Sequence, residues 1–261
     1  MIRERSLLEQ ISAVARRSAM ATYRQRALLV FPMLFPLILF AINGSSLSRA
    51  TEIPGFPTSS YRAFLLAMPF VQGAMFVSIS AGTSLARDIE TGFLNRLALT
   101  PLRSEAMLVG QLGGAFVVAC VQAVVYTLVG LATGVGFASG LGGVFVLLSL
   151  SLAIAFAFAC LGGLLALRLG SGEAIQGIFP LLFVTLFLSS ATLPRNIIKA
   201  DWFREVATYN PVSYFLEGLR SLVIQGWNAQ ALELAFGFAA LLAGISLALS
   251  STAMKSRLAR T

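Results

Sequence analysis

The chain has 261 residues, of which 57% are hydrophobic and 11% charged, with a net charge of +8 at neutral pH and a mean hydropathy of +0.84. Soluble domains carry about 25% charged residues, so this is the composition of a polytopic membrane protein. Its arginines cluster beside hydrophobic runs, where they act as topology signals rather than as a nucleic-acid footprint. There is no histidine, which excludes histidine metal sites and Ser-His-Asp or Cys-His catalysis.

Residues 1–26 are expected to form an amphipathic interfacial helix. Leu7, Leu8, Ile11, Val14 and Ala15 fall on one face at helical spacing, and Arg3, Arg5, Arg16 and Arg17 occupy much of the remainder. Such a helix lies along anionic headgroups. Six apolar runs then reach the roughly 20 residues that a bilayer crossing needs, at 27–48, 63–86, 106–134, 143–167, 174–194 and 231–253. The glycines at 134, 136, 140, 142 and 143 mark a turn between the third and fourth runs. Cys120 and Cys160 fall inside apolar runs and read as small buried hydrophobes. With the N-terminus inside, most of the 19 Lys and Arg residues lie on the cytoplasmic side. Both termini are therefore expected to be cytoplasmic, without a cleaved signal peptide.

Between the second and third runs lies a polar island, 87–105, with Arg87, Arg96 and Arg103 among Asp88, Glu90 and Glu105. A segment this charged belongs in water, yet Ile89, Phe93, Leu94 and Leu97 form a helical apolar stripe within it. That is the design of a docking element. Asp88 and Glu90 themselves are expected to be solvated charges.

The segment 195–230 needs a decision. Its second half is nearly apolar enough to span, but Glu217 and Arg220 would each cost about 2.5–3.5 kcal/mol at mid-bilayer, and Asn210-Pro211 breaks a helix. It reads as a half-inserted or surface helix on the external face, with Trp202, Tyr209, Tyr214 and Trp227 as an interfacial belt. Glu217 and Arg220 stand at i, i+3 and would pair along one side of their helix. That pair suits either an outer gate or a plain surface ion pair.

Two absences bear on energy supply. Neither Lys199 nor Lys255 follows a glycine, so no phosphate-gripping G-x-x-x-x-G-K-[ST] loop is present and this chain cannot hydrolyse ATP alone. No acidic or basic residue falls deep inside the six runs; Glu233 sits just within the external end of the last. An all-neutral interior argues against proton coupling.

These residues resemble the ABC-2-type export permeases, a family whose coupling region opens on charged residues and Glu-Thr-Gly, continues as a short amphipathic helix and ends on Thr-Pro and a basic residue. Here those elements read Arg87-Asp88-Ile89-Glu90-Thr91-Gly92, then Phe93 to Leu99, then Thr100-Pro101 and Arg103, with Gly110 opening the next span. The stretch from Asn210-Pro211 through Tyr214 to Glu217 and Arg220 resembles the family's signature before the last span. Within the family, the size and short external loops are similar to the daunorubicin/multidrug-type exporters. Where the family often has Lys after that glycine, this chain has Gln111.

The resemblance implies an all-α polytopic membrane protein, one domain over 1–261. It would have six transmembrane helices, an N-terminal interfacial helix, a cytoplasmic coupling helix and an external half-inserted helical segment before the last span. It implies a prokaryotic plasma-membrane exporter subunit that is no enzyme by itself. Two permease subunits, identical or homologous, would form a pore above two ABC ATPase subunits, which would bind the ATP and Mg; membrane lipid is the other partner. Glu90, Thr91, Gly92, Phe93, Leu94 and Leu97 would meet the ATPase, with Thr100, Pro101 and Arg103 setting the break into the third span. Asn210, Pro211, Tyr214, Glu217 and Arg220 would form an outer gate. The family's cavity-lining spans here carry Phe35, Asn43, Gln72, Phe76, Ser80, Phe179, Phe183 and Phe187, which suits an amphipathic, lipid-like or drug-like cargo. Read without the resemblance, phenylalanines at this spacing equally fit a lipid-facing surface or a core. Gly110/Gly114 and Gly130/Gly134 match the close-packing spacing of membrane helices. A secondary transporter or channel, and a membrane-embedded lipid-modifying transferase, are the rival readings.

Overall fold

The computed structural model describes residues 6–24, 27–93 and 109–258. Leu94, Leu97, Thr100, Pro101 and Arg103 of the coupling region lie outside them. Every regular element among the described residues is helical.

The first helix, α1 (Leu7–Arg24), starts on a capping box. The Glu9 N–H donates to Ser6 Oγ and the Ser6 N–H donates to Glu9 Oε2, at 3.3 and 3.0 Å, so two otherwise orphan donors are satisfied reciprocally. Helix α2 (Ala27–Ser46) contains Pro32 and Pro36. A 3-10 turn (Ser48–Glu52) and a loop lead to α3 (Tyr61–Leu65), capped by Ser60, whose Oγ accepts the Ala63 N–H. Across Leu66 it runs into α4 (Ala67–Glu90). Next come α5 (Gly113–Ala132), α6 (Gly140–Leu169) and α7 (Gly172–Phe187). The α6–α7 corner is made by Gly170 in the left-handed region, φ +75°, followed by Ser171, whose side chain caps α7 by accepting the Ala174 N–H. The chain ends with α8 (Asp201–Tyr209), α9 (Pro211–Arg220) with its π-helical continuation Ser221–Gln225, and α10 (Ala229–Leu258).

Four helical stretches are long and apolar enough to cross a membrane: Tyr61–Glu90, Gly113–Ala132, Gly140–Leu169 and Ala229–Met254. Two shorter apolar helices, Val30–Ser46 and Gly172–Phe187, accompany them. The α7 helix stops at Phe187, short of the apolar run to 194, because Asn210 takes over the carbonyls at its end, as described below.

Helix α4 is the central post. It packs most extensively on α6, and also against α7, α5, α2 and α9. The α4–α6 crossing is so tight that a Cβ on Gly162 would lie 1.9 Å from the Ser78 carbonyl oxygen, and one on Gly82 would lie 2.9 Å from the Gly162 oxygen. Of the glycines expected to mark span packing, Gly130 does so, with Leu66 Cδ2 2.7 Å from where its Cβ would be; two others have further uses. Gly110 lets α1 approach, with Val14 Cβ 2.5 Å from where its own would be, and Gly134 is a left-handed turn at φ +79° with nothing around it.

The segment 195–230 corrects the surface-helix expectation. Its α8 is amphipathic and presents Trp202 and Tyr209 outward, but α9 is core. Val212, Ser213, Phe215, Leu216, Gly218, Leu219 and Arg220 are all buried, and α9 packs against α10, α4 and α6. Gly218 makes the contact close: a Cβ there would meet Ala235 Cβ at 2.5 Å.

Candidate functional site

The polar island begins as helix. Helix α4 continues through Arg87 to Glu90, and the Thr91-Gly92 that follows is a C-terminal cap. Thr91 Oγ donates to the Arg87 carbonyl, 2.8 Å, while Gly92 takes φ +67°, the left-handed conformation that a Cβ disfavours. This gives a physical reason for Glu-Thr-Gly at the mouth of the segment.

Asp88, expected to be solvated, is largely buried, while Glu90 is exposed as expected and makes one further contact. Asp88 receives the Gln111 amide, Nε2 to Oδ2 at 2.7 Å, and Arg17 from α1 at 3.5 Å. The side chain of Asp88 is only 16% exposed. Arg17 also lies over the Phe93 ring, 3.7 Å from its centroid, a cation–π contact. Ser18 stitches α1 to the start of α5, donating to the Gln111 carbonyl at 2.9 Å and accepting the Gly114 N–H at 3.1 Å. Glu90 turns the other way: its Oε1 accepts the Gly172 N–H at 3.1 Å. A carboxylate at the C-terminal end of α4 opposes that helix's dipole, but at the first turn of α7 it is favoured. The two acids thus fasten one end of α4 to α1, α5 and α7 at once.

The opposite end of α4 carries the second constellation. Arg220 is 6% exposed, and its donors are met by three carbonyls: Nε by Phe64 at 2.9 Å, and its two terminal nitrogens by Ser190 and Ala191 at 2.6 and 2.5 Å. Its guanidinium also stacks 3.6 Å over the Phe64 ring. Burial, opposed in part by Glu217 and Tyr61, lowers it to about 9, so it remains cationic at neutral pH. The expected pairing with Glu217 is not made. Glu217 instead forms an ion pair with Arg195 and accepts the Ser190 hydroxyl at 3.4 Å. Burial lowers Arg195, and the hydrogen bond and charge of Glu217 override it to leave the net shift upward. Arg195 lies over Tyr214, 4.8 Å from the ring centroid, and Tyr214 stacks on Phe238 at 4.7 Å. The Arg195–Glu217 pair lines a cleft of about 430 Å³ whose wall also includes Arg220, Gln225 and Asn228.

Asn210 joins two helices. Its Oδ1 caps α9 by accepting the Val212 N–H at 2.9 Å, and Pro211 follows at the first helical position, where no N–H is needed. Its Nδ2 donates to the Thr185 and Leu188 carbonyls at the end of α7, at 2.6 and 3.1 Å.

The aromatic residues expected along the cargo path do meet. Phe35 of α2, Phe76 of α4 and Phe183 of α7 form a mutual triangle with ring centroids 5.9–6.0 Å apart. Phe179 closes on Phe76 at 4.9 Å and on Phe183 at 4.6 Å, and Phe187 extends the row at 6.5 Å. Phe187 is 58% exposed, and the other four are half-buried. Ser80 is half-buried, while Asn43 donates to the Leu39 carbonyl of its own helix at 2.8 Å. Gln72 is wholly buried, with neither end of its amide hydrogen-bonded among the described residues.

Arg17, Gln111, Gly172 and Arg195 carry these constellations, and their contacts are not visible in the sequence. The departure at Gln111 was the one sequence signal, and its amide is what holds Asp88. The other contacts join residues 22 to 82 positions apart, beyond the reach of local spacing.

The sequence profile of the ABC-2 type transporter family matches residues 9–224. The chain is similar to the daunorubicin resistance ABC transporter permease protein DrrB1 of Streptomyces coeruleorubidus, 27% identical over 202 residues, covering 75% of this chain and 67% of that one. It is 26% identical over 228 residues to the putative transport permease ycf38 of Pyropia yezoensis, covering 85% and 77%. It is also 24% identical over 202 residues to the probable doxorubicin resistance ABC transporter permease protein DrrC of Mycobacterium tuberculosis (strain ATCC 25618 / H37Rv), covering 76% and 69%.

Proposed function

The chain belongs to the ABC-2 type transporter family, and from that premise we propose that it is the permease subunit of an ATP-driven exporter for an amphipathic, lipid-like or drug-like cargo. It is a non-catalytic, multi-pass membrane component. Two ABC ATPase subunits supply the ATP and Mg sites, and a second permease subunit, identical or homologous, completes the pore. The two shorter apolar helices, α2 and α7, complete six spans with α4, α5, α6 and α10. Both termini and the coupling region then face the cytoplasm of a prokaryotic plasma membrane, and 195–230 lies outside.

The observation that carries this reading is the joint at Asp88 and Glu90, which binds the start of the coupling region to three other helices. A segment pushed from the water side there moves α1, α5 and α7 together. Docking then falls to Phe93, Leu94 and Leu97, with the Thr91-Gly92 cap before them and Thr100, Pro101 and Arg103 at the break into the next helix; Glu90 serves coupling rather than docking. Asn210, Pro211, Tyr214, Glu217 and Arg220, closing the far end, serve as the outer gate. The phenylalanine row of α2, α4 and α7 lies between the two and offers a cargo surface.

A secondary transporter would need a group that binds and releases its coupling ion. Arg220 is a buried charge outside the six apolar runs, held on three backbone carbonyls, and burial lowers it only to about 9, so it stays protonated at neutral pH. It therefore supplies no proton cycle.

Affinity purification of the chain from its native membranes, followed by identification of what accompanies it, tests the proposal. An ABC ATPase should copurify, and Phe93→Asp with Leu97→Asp should remove it. Export that continues after ATP depletion and collapses with an uncoupler would overturn the reading.

A further inference from the structure

Glu90 sits in the coupling region, yet its carboxylate is engaged inside the chain, on the first N–H of α7. We propose that Glu90 is a transmission residue. It hands displacement of the coupling region directly to α7, and its contribution to holding the ATPase is dispensable. This rests on the exporter reading above.

Three observations carry it. Glu90 is the last residue of α4 before the Thr91-Gly92 cap, so it moves with whatever moves the segment that follows. Its Oε1 accepts the Gly172 N–H, and Gly172 opens the helix that carries Phe179, Phe183 and Phe187. Those rings pack against Phe76 of α4 and Phe35 of α2. A shift of α7 relative to α4 therefore rearranges the phenylalanine row. Asp88, two residues earlier, pairs with Arg17 and Gln111, so α1 and α5 are held separately. That leaves Glu90 as the hydrogen-bonding side-chain link from this stretch to α7 among the described residues, beside the apolar cluster that joins Leu85, Ala86 and Ile89 to Ile175 of α7.

The contact can be removed from either side. Glu90→Ala deletes the acceptor. Gly172→Pro deletes the donor, and it does so gently. Gly172 is the first residue of α7, the position proline prefers. Ser171 before it is already extended, at φ −133° and ψ 143°, as a residue preceding proline must be. A Cβ at 172 would also meet nothing within 4 Å. Glu90→Gln keeps an oxygen acceptor and serves as the conservative control.

The experiment uses the full chain, purified with the ATPase that accompanies it and placed in lipid nanodiscs. Cys120 and Cys160 are replaced by alanine, and a bimane fluorophore is attached through Gln176→Cys, an exposed position one turn into α7. MgATP with orthovanadate should shift the bimane emission in this background and in Glu90→Gln. In Glu90→Ala and in Gly172→Pro the shift should be lost while the ATPase still copurifies in equal amount. The double variant should be no worse than either. A shift that persists in Glu90→Ala or in Gly172→Pro overturns the proposal. Loss of the ATPase itself in Glu90→Ala also overturns it, by making Glu90 a docking contact. If no ATPase accompanies the chain even with Glu90 intact, the exporter reading falls and takes this inference with it.

Discussion

Glu217 forms an ion pair with Arg195, 22 residues upstream, and not with Arg220 one turn further along its own helix. The two arginines around this carboxylate therefore do different work. Arg195 and Glu217 keep 24% and 31% of their side chains exposed, so water screens the pair, and its net worth to stability is below about 1 kcal/mol. Arg195→Ala should accordingly leave the melting temperature of the purified protein almost unchanged. Arg195→Glu should impair export, because it sets like charges together at the mouth of the cleft. Exchanging both, with Glu217→Arg added, should restore export in a cell-based efflux assay. Failure of the exchanged pair to recover would mean that the pair has no gating role.

Arg220 behaves oppositely. Three buried carbonyls receive its donors, at Phe64, Ser190 and Ala191. Arg220→Met strands all three, and removing one side of a buried charged contact typically costs about 3–5 kcal/mol. Arg220→Lys keeps the charge, but an ammonium is a point donor without the planar fork that reaches three acceptors. Thermal melting in detergent should therefore rank wild type above Arg220→Lys, and that above Arg220→Met. Equal loss from Lys and Met would show that the fork geometry is irrelevant.

The pattern of what was legible follows from range. Of the six apolar runs read as spans, four are long spanning-type helices and two are shorter; this much was legible because hydropathy is a property of consecutive residues. The phenylalanines at 179, 183 and 187 announced one face of α7, because four residues make about one helical turn. Local spacing also suggested Glu217 with Arg220, and there it misled. The partner that won, Arg195, arrives only because the chain reverses between α7 and α9. Asp88 looked solvated for the same reason, and the contact of the exposed Glu90 went unseen: Arg17 and Gly172 lie 71 and 82 residues away in sequence. Asn210-Pro211 was legible as a helix break, but the other half of its chemistry, an amide satisfying the carbonyls of α7, needs the fold to bring Thr185 and Leu188 beside it.

That double role of Asn210 gives a graded prediction. Asn210→Asp retains the side-chain oxygen that caps α9 but loses the N–H donors to Thr185 and Leu188. Asn210→Ala loses both. An N-cap is worth about 1 kcal/mol, and the two lost hydrogen bonds, one exposed and one half-buried, add about 0.5–1.5 kcal/mol each. Aspartate should therefore recover only a minority of the melting temperature lost in the alanine variant. Full recovery by aspartate would place all of Asn210's importance in the cap.

The close α4–α6 crossing involves a glycine with an equally small neighbour, and the two should respond to alanine in opposite senses. At Gly162 a Cβ would sit 1.9 Å from the Ser78 carbonyl oxygen and 3.1 Å from the Ser78 Cα. The obstacle is backbone, which cannot rotate away as a side chain would. Helices α4 and α6 would have to separate, loosening the contact that each uses most. Overpacking of this kind costs about 1–3 kcal/mol or more, against which alanine's better helix propensity returns only about 1 kcal/mol. At Gly163 the nearest atoms are side-chain methyls of Leu112 and Leu85, at 3.8 and 3.9 Å, an ordinary contact distance. There the propensity gain is unopposed. Gly162→Ala should lower the melting temperature and reduce the folded yield, whereas Gly163→Ala should match or exceed wild type. If Gly162→Ala were as stable as Gly163→Ala, the close α4–α6 crossing would not be what fixes the post around which both ends of this permease are built.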